Sequence, residues 1–230
     1  MTTIASRLRA VRDRISAACE AKGRDPASVR LLAVSKTFDD DAVAQAIAAG
    51  QFAFGENYIA EGINKIAALR QHAHLEWHCI GPVQSNKTRL VAEHFDWVQS
   101  VDRLKIAQRL SEQRPAHLPP LQICLQVNVD AGANKSGVTP GDLMALVQEV
   151  IKLPRLCLRG LMTLPEPAVD FAAACAVHAK AQTLFDQVNG AGVLTEPMDT
   201  LSMGMTADLE AAIASGSTMV RVGTAIFGVR

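Results

Sequence analysis

Short apolar segments alternate with segments of helical periodicity along the whole chain, and this alternation is the dominant pattern in the sequence. Eight apolar segments are candidate strands: residues 31–35, 52–54, 77–81, 97–100, 121–129, 156–161, 201–204 and 219–223. Several are almost entirely apolar, as is typical of parallel strands that helices cover on both faces. Strands that alternate with helices predict a parallel sheet.

Helix signals lie between these segments. Predicted helices cover residues 42–49, 103–113 and 207–215. Asp39 and Thr206 precede two of them, as capping residues do, because their side-chain oxygens can accept backbone N–H groups. Thr139 followed by Pro140 is typical of another helix start, since proline is tolerated in the first turn.

Eight strand–helix units predict a single domain over residues 1–230, closed into a (β/α)8 barrel of the TIM type. Residues 1–24 add an N-terminal helix packed on the barrel. Apolar residues of this helix recur on one face at helical spacing: Ile4, Leu8, Val11 and Ile15. An open, doubly wound parallel sheet is the structural alternative. No linker rich in Pro, Gly or Ser divides the chain.

Composition narrows the function classes. The 230 residues include 23 Lys plus Arg and 23 Asp plus Glu, so the net charge gives no electrostatic case for nucleic acid or a membrane as partner. No apolar run approaches the roughly 20 residues of a membrane helix. The five widely spaced cysteines predict free thiols in a reducing cytoplasm, without disulfides or a metal site.

Reactive groups in a (β/α) barrel lie at the carboxyl ends of the strands. Lys36 directly follows the first apolar segment, where it is either a Schiff-base amine or a surface lysine. Gly223, at the end of the last segment, and Thr224 open the final helix and form either a phosphate-binding helix start or an ordinary tight turn. Ser202 and Thr206 accompany a glycine at the neighbouring junction, so the two junctions could share one phosphate.

Barrel closure would join these residues, because the first strand then pairs with the eighth at a spacing of about 4.8 Å. Lys36 is therefore expected beside Arg221, which lies two residues before Gly223. A lysine amine, an arginine and a phosphate site suit an aldehyde that carries a phosphate. An open sheet would generally keep these terminal units apart.

Polar residues after the second and third segments are further candidates. Asn57 is expected either to hydrogen-bond a bound ring or to cap the next helix, and Glu56 belongs to no acid–base pair. Residues 84–89 are polar enough to contact a ligand or partner, or else form a capped helix with a solvated face. Lys135 and Ser136 are expected to be exposed, with a second anion site as the alternative.

Seven motifs occur in the same order in the pyridoxal phosphate homeostasis proteins: AVSKT, FGENY, WHCIGPVQSNK, KSG, RGLM, LSMGM and VRVGTAIFG. The chain resembles this family, the bacterial relatives of the human proline synthase co-transcribed homologue, over essentially its whole length. The ordered set is specific, although no single motif is. The resemblance also implies a barrel like the N-terminal domain of alanine racemase.

The resemblance implies that the cofactor is pyridoxal 5′-phosphate, held by Lys36 as an internal aldimine. It further implies that Arg221 faces the pyridine nitrogen, and that Thr206 binds the phosphate together with the amides of Gly223 and Thr224. Thr206 stands where the family usually has serine, but the hydroxyl is retained.

The family is linked to vitamin B6 homeostasis and to amino-acid and keto-acid balance. An arginine at the pyridine nitrogen disfavours ring protonation, because two positive charges would meet, so the cofactor becomes a weaker electron sink. Tyr58 is the only tyrosine, and no second domain supplies another base. We therefore expect a monomeric carrier, without established turnover, that releases the cofactor to apo-enzymes or to recycling.

Other functions are compatible with the same residues. A racemase-like enzyme with one base would exchange the α-hydrogens of amino acids. A class I aldolase-type Schiff-base enzyme would stay colourless when the cofactor is added. A regulatory module would bind a protein partner through residues 84–89.

Overall fold

A computed structural model describes residues 3–72, 74–130 and 136–228 of the chain. Parallel strands follow one another in chain order and close into an eight-stranded barrel. They are β1 (Arg30–Val34), β2 (Ala53–Glu56), β3 (Glu76–Cys79), β4 (Trp97–Val101), β5 (Leu121–Val127), β6 (Leu156–Thr163), β7 (Thr200–Ser202) and β8 (Met219–Val222). The predicted (β/α)8 barrel is confirmed, and each strand overlaps one of the apolar segments.

Helices cover the outside of the barrel. They are α1 (Ile4–Glu20), α2 (Asp40–Ala48), α3 (Ile59–Ala68), α4 (Thr88–His94), α5 (Leu104–Gln113), α6 (Leu143–Val150), α7 (Phe171–Gly190), α8 (Leu209–Ala214) and α9 (Thr224–Phe227). The Asp39 carboxylate caps α2 as predicted, because it accepts the Ala42 N–H at 2.9 Å.

Two predicted helix starts are wrong by a few residues. Helix α8 begins at Leu209, because the preceding residues form a turn in which the Asp208 carboxylate accepts the Met205 N–H. Thr206 therefore lies in this turn and does not cap the helix. Helix α6 begins at Leu143, since a turn closed by the Thr139 hydroxyl comes first.

Pairing between the first and last strands closes the barrel. Leu32 of β1 lies opposite Arg221 of β8, and Ala33 lies opposite Val222. The open-sheet alternative is therefore wrong. The ends of β1 and β8, where Lys36 and Gly223 follow, lie side by side at the same mouth of the barrel.

The inside of the barrel is partly polar. The described strands are largely buried, and β4 is buried along its whole length, because helices cover the outer face of the sheet. The fully or almost fully buried polar residues include His78, Gln99, Ser202 and Arg221. These side chains come from four strands and meet through hydrogen bonds described below.

Helix α1 precedes the barrel and packs against α2, α8 and α9. The predicted apolar face is confirmed, since Leu8, Val11 and Ile15 are buried and Ile4 is half-buried. The helix ends at Glu20, before residue 24.

All five cysteines are free thiols, and Cys19, Cys79 and Cys124 are buried. Among the described residues, no helix is long and apolar enough to cross a membrane. Within the same ranges, no three His, Cys, Asp or Glu side chains cluster as metal ligands would.

Candidate functional site

A cavity of about 300 Å³ opens at the carboxyl-terminal end of the barrel. Barrel proteins place reactive groups at this end, and the volume is within the range of small-ligand pockets. Its wall is formed by residues at or just after the ends of six strands. They are Val34, Lys36, Asn57, Ile80, Leu164, Met205, Thr206, Ala207, Arg221, Gly223 and Thr224.

Six of the seven residues predicted from the sequence to bind a cofactor line this cavity: Lys36, Asn57, Thr206, Arg221, Gly223 and Thr224. Ser202 does not line it, because its side chain is buried inside the barrel and hydrogen-bonds Arg221 and Gln99. Their roles toward a cofactor stay predictions. Apolar lining residues such as Ile80 and Leu164 were not predicted, because an apolar residue in a loop carries no distinguishing signal.

Lys36 lies two residues after the end of β1 and lines the cavity with an exposed side chain. Among the described residues, none forms a hydrogen bond or ion pair with its amine. The next residue, Thr37, has a φ of 68°, a left-handed conformation that is unusual for a β-branched side chain. The Phe38 N–H donates to Ser35 O at 3.1 Å, so Lys36 and Thr37 occupy the centre of a four-residue turn.

A buried ion cluster packs against this turn. The Lys65 ammonium uses all three of its donors, each at 2.7 Å, on these oxygens: Ser35 O, Glu56 Oε1 and Glu61 Oε1. Glu61 Oε1 also accepts the Thr37 N–H at 2.5 Å. Burial raises the pKa of Glu56, although hydrogen bonds from Lys65 and Ser35 oppose the rise. This cluster was not predicted, because its members come from two strand ends and a helix.

Two hydroxyls meet at the other end of the cavity. Thr224 Oγ1 lies 3.4 Å from Thr206 Oγ1, so the two strand–helix junctions do adjoin as predicted. Gly223 lets the end of β8 approach β1 closely, since a Cβ there would lie 3.1 Å from Val34 O. The first backbone N–H groups of α9 have no partners within that helix. Arg14 of α1 holds the turn from outside by donating to Thr206 O at 3.0 Å.

Arg221 is the buried charge of the cavity, with 3% of its surface exposed. Its Nη1 donates to Ser202 O and to Ser202 Oγ, each at 2.7 Å, and its Nη2 donates to Thr163 O at 2.7 Å. Burial lowers the pKa of Arg221 to about 10, while Asp208 opposes the fall. The guanidinium is therefore charged at neutral pH and fixed in one orientation.

Hydrogen bonds continue from Ser202 across the inside of the barrel. Because Arg221 donates to Ser202 Oγ, the Ser202 proton goes to Gln99 Oε1, at 2.7 Å. Gln99 Nε2 then donates to His78 Nδ1 at 2.9 Å, which leaves the proton of neutral His78 on Nε2. Burial lowers the pKa of His78. The His78 and Arg30 side chains lower the pKa of neighbouring Glu76 to about 2.

Asn57 does not cap α3, whose first turn receives no side-chain hydrogen bond from the N-terminal side. Its side chain lines the cavity instead, which favours the ring-binding alternative. The backbone of Asn57 is closely packed, because a Cβ at Gly81 would collide with Asn57 O.

The polar segment over residues 84–89 lies away from the cavity. Ser85–Lys87 form a single 3-10 turn before α4, and Ser85 O accepts from Thr88 Oγ1 and from Arg109 Nε. None of these residues is part of the cavity lining. Lys135 lies outside the described residues, and Ser136 is exposed as predicted.

Comparison with known proteins places the chain in a family. The pattern of the family described as "Alanine racemase, N-terminal domain" matches residues 7–230. A pyridoxal phosphate homeostasis protein of Pseudomonas aeruginosa is 57% identical over 230 residues, which cover 100% of this chain and 97% of that protein. The protein of the same name from Escherichia coli K12 is 52% identical over 234 residues, which cover 100% and 98%. This chain belongs to the pyridoxal phosphate homeostasis protein family.

Solved structures share the barrel of this family member. PipY of Synechococcus elongatus was solved with pyridoxal 5′-phosphate (PLP) bound and is 37% identical to this chain. The TM-score is 0.86, and the match covers 98% of this chain and 100% of PipY. An alanine racemase of Clostridium difficile is 19% identical, with a TM-score of 0.71 over 95% of this chain and 55% of the racemase. The racemase likeness shows the fold alone. The predicted resemblances to the pyridoxal phosphate homeostasis proteins and to the N-terminal domain of alanine racemase are confirmed.

Proposed function

We propose that this family member binds pyridoxal 5′-phosphate through Lys36 and serves in vitamin B6 homeostasis, and thereby in amino-acid and keto-acid balance. The observation that carries the proposal is the cavity itself, which combines a lysine amine, a buried arginine and two adjoining threonine hydroxyls. The name shared by the two similar bacterial proteins supports it, as does the PLP-bound structure of PipY.

The lining suits the aldehyde and the phosphate of this cofactor. When bound, the cofactor supplies an aldehyde that condenses with a primary amine and releases water. Lys36 offers that amine at the open side of the cavity. Thr206 and Thr224 offer hydroxyl donors to the phosphate, and the first amides of α9, beside Gly223, offer backbone donors.

The remaining lining suits a flat aromatic ring. Val34 and Ile80 offer apolar surface, and Asn57 can hydrogen-bond a ring hydroxyl. Arg221 has a fixed guanidinium to face the ring nitrogen. Ser202 Oγ accepts a hydrogen bond from Arg221 Nη1 at 2.7 Å, so Ser202 would act on the ring only through Arg221.

The carrier role, without catalytic turnover, is part of the proposal. Lys36 and Arg221 are the only ionisable side chains among the described residues that line the cavity. A racemase needs bases on both faces of its substrate, and Arg221 at neutral pH is a charged donor rather than a base. Its positive charge also disfavours protonation of a nearby pyridine nitrogen, which weakens the cofactor as an electron sink.

The binding proposal is tested by adding pyridoxal 5′-phosphate to the cofactor-free protein and recording the visible spectrum before and after borohydride reduction. We expect a reduced adduct that mass spectrometry assigns to Lys36 and that Lys36→Ala abolishes. Lys105→Ala is the matched control, because Lys105 is an exposed lysine on α5 outside the cavity. An adduct spread over several lysines, or none, would overturn the proposal.

The carrier role is tested with amino acids and with a recipient enzyme. The loaded protein should not exchange the α-hydrogens of amino acids in deuterium oxide, but should restore activity to an apo-enzyme that needs the cofactor. Exchange with turnover that Lys36→Ala abolishes would replace the carrier by a racemase-like enzyme. A monomer in the cytoplasm is also part of the proposal, and sedimentation velocity of the loaded protein tests the monomer.

A further inference from the structure

The backbone on both sides of Lys36 is bound to one ion cluster. Ser35 O, before the lysine, accepts from Lys65 Nζ at 2.7 Å. The Thr37 N–H, after the lysine, donates to Glu61 Oε1 at 2.5 Å. Lys65 and Glu61 also pair with each other at 2.7 Å. The two ends of the lysine's peptide segment are therefore held by a single pair of opposite charges.

The turn needs such support because one of its central residues is strained. Thr37 has a φ of 68°, which favours glycine or asparagine over a β-branched residue. Conformations of this kind persist only where surrounding contacts enforce them, and they concentrate at functional sites. The Glu61 carboxylate provides the side-chain contact to the Thr37 N–H.

The cluster is itself firmly anchored, which makes it a rigid support. The Lys65 side chain is 6% exposed and the Glu56 side chain is fully buried. Glu56 Oε1 accepts from Lys65 Nζ at 2.7 Å and from Ser35 Oγ at 2.6 Å. None of these charged groups is part of the cavity lining, so the cluster does not contact a ligand there directly and reaches Lys36 through the turn.

We propose that Glu61, held by Lys65, is a positioning residue that fixes the turn around Lys36 and thereby aims the lysine amine at the aldehyde of the cofactor. The inference deepens the proposed function and rests on it. The neutral amine would attack the aldehyde carbon, a C=N bond would replace the C=O bond, and the oxygen would leave as water with the two hydrogens of the amine, so no oxidant or reductant is needed. A misplaced amine slows or weakens this capture without affecting the phosphate contacts.

Two conservative variants separate the effect of the position of the Glu61 oxygen from the effect of the Glu61 charge. Glu61→Asp keeps the charge beside Lys65 but shortens the side chain and withdraws it from the Thr37 N–H. Glu61→Gln loses the charge but keeps an oxygen at the same reach. We expect the dissociation constant of pyridoxal 5′-phosphate to rise about tenfold in Glu61→Asp and to stay within about threefold in Glu61→Gln. Glu149→Asp on α6 is the matched control, since Glu149 is exposed and pairs only with Lys152 among the described residues.

Pyridoxine 5′-phosphate, which has the ring and the phosphate but no aldehyde, is the second probe. Its dissociation constant should stay within about twofold of wild type in every variant, because it does not use the amine. Equal weakening of both compounds in Glu61→Asp would overturn the inference and assign the cluster a purely structural role. Binding of pyridoxal 5′-phosphate as tight in Glu61→Asp as in wild type would also overturn it. Neither result touches the proposed function, which is tested separately by the Lys36 adduct of the wild-type protein.

Discussion

Arg221→Lys is expected to destabilise the barrel, because a single ammonium replaces a planar guanidinium that donates hydrogen bonds to two strands, β6 and β7. The guanidinium binds Ser202 O and Ser202 Oγ through one nitrogen and Thr163 O through the other, each at 2.7 Å. A shorter lysine with one nitrogen leaves at least one of these buried oxygens without its donor. An unsatisfied buried polar group costs about 1–3 kcal/mol. For a chain of this size, that loss lowers the melting temperature by about 2–12 °C.

Urea unfolding of the cofactor-free protein at neutral pH measures this loss without a contribution from bound ligand. Arg103→Lys is the matched control, because Arg103 is 51% exposed and pairs with Asp102 on the surface. That exchange is expected to change the free energy of unfolding by less than about 0.5 kcal/mol. If Arg221→Lys proves as mild as Arg103→Lys, the buried oxygens do not depend on the guanidinium and the reasoning is refuted.

Ser202→Ala extends the same test to the next side chain. The Ser202 hydroxyl accepts from Arg221 and donates to Gln99 Oε1. Its loss leaves Gln99 Oε1 without that donor, so we expect a cost of about 1–3 kcal/mol in the same urea assay. A stability equal to wild type would contradict the hydrogen-bond chain.

Further predictions use the same unfolding measurement. Stability should fall as the pH drops below 6.5, because burial lowers the pKa of His78 and the unfolded chain therefore takes up a proton that the folded chain refuses. His78→Gln should flatten that part of the profile, and an unchanged profile would contradict this cause. Gly81→Ala should cost about 1–3 kcal/mol, since its Cβ would collide with Asn57 O. Gly190→Ala, with nothing within 4 Å of the new Cβ, should not destabilise, and equal losses would contradict the collision. Thr37→Gly should stabilise the cofactor-free protein by about 1 kcal/mol by removing strain, and a loss would contradict that strain.

The barrel and most of the cavity were predictable from local signals. Each strand is a short apolar segment, and the residue after a strand must lie at the barrel mouth, so Lys36 and Gly223 could be placed by position alone. Closure then brought Arg221 and Gly223 to Lys36, because β1 pairs with β8. The parallel barrel topology therefore determines which residues that are distant in the sequence lie together in the cavity.

The polar groups behind the cavity could not be predicted in the same way. His78 and Gln99 lie on β3 and β4. The hydrogen bond between their side chains depends on which residues of the two strands point into the barrel at the same level along its axis. Lys65 lies on α3, where a lysine ordinarily faces solvent. Its burial follows from the acceptors that surround it, Glu56 among them, and these become neighbours when β1 pairs with β2 and α3 packs beside them.

The hydrogen bonds of Arg221 bear on the proposed carrier role. Its partners are two carbonyl oxygens and a hydroxyl, and none of the ion pairs among the described residues includes Arg221. The positive charge is therefore held in place but not neutralised by direct contact with a carboxylate. Such a charge attracts an anionic ligand into the cavity and also opposes protonation of a pyridine nitrogen beside it. In the proposed binding mode, the same guanidinium would contribute to cofactor binding and weaken the electron sink, which supports the proposed carrier role over an enzymatic one.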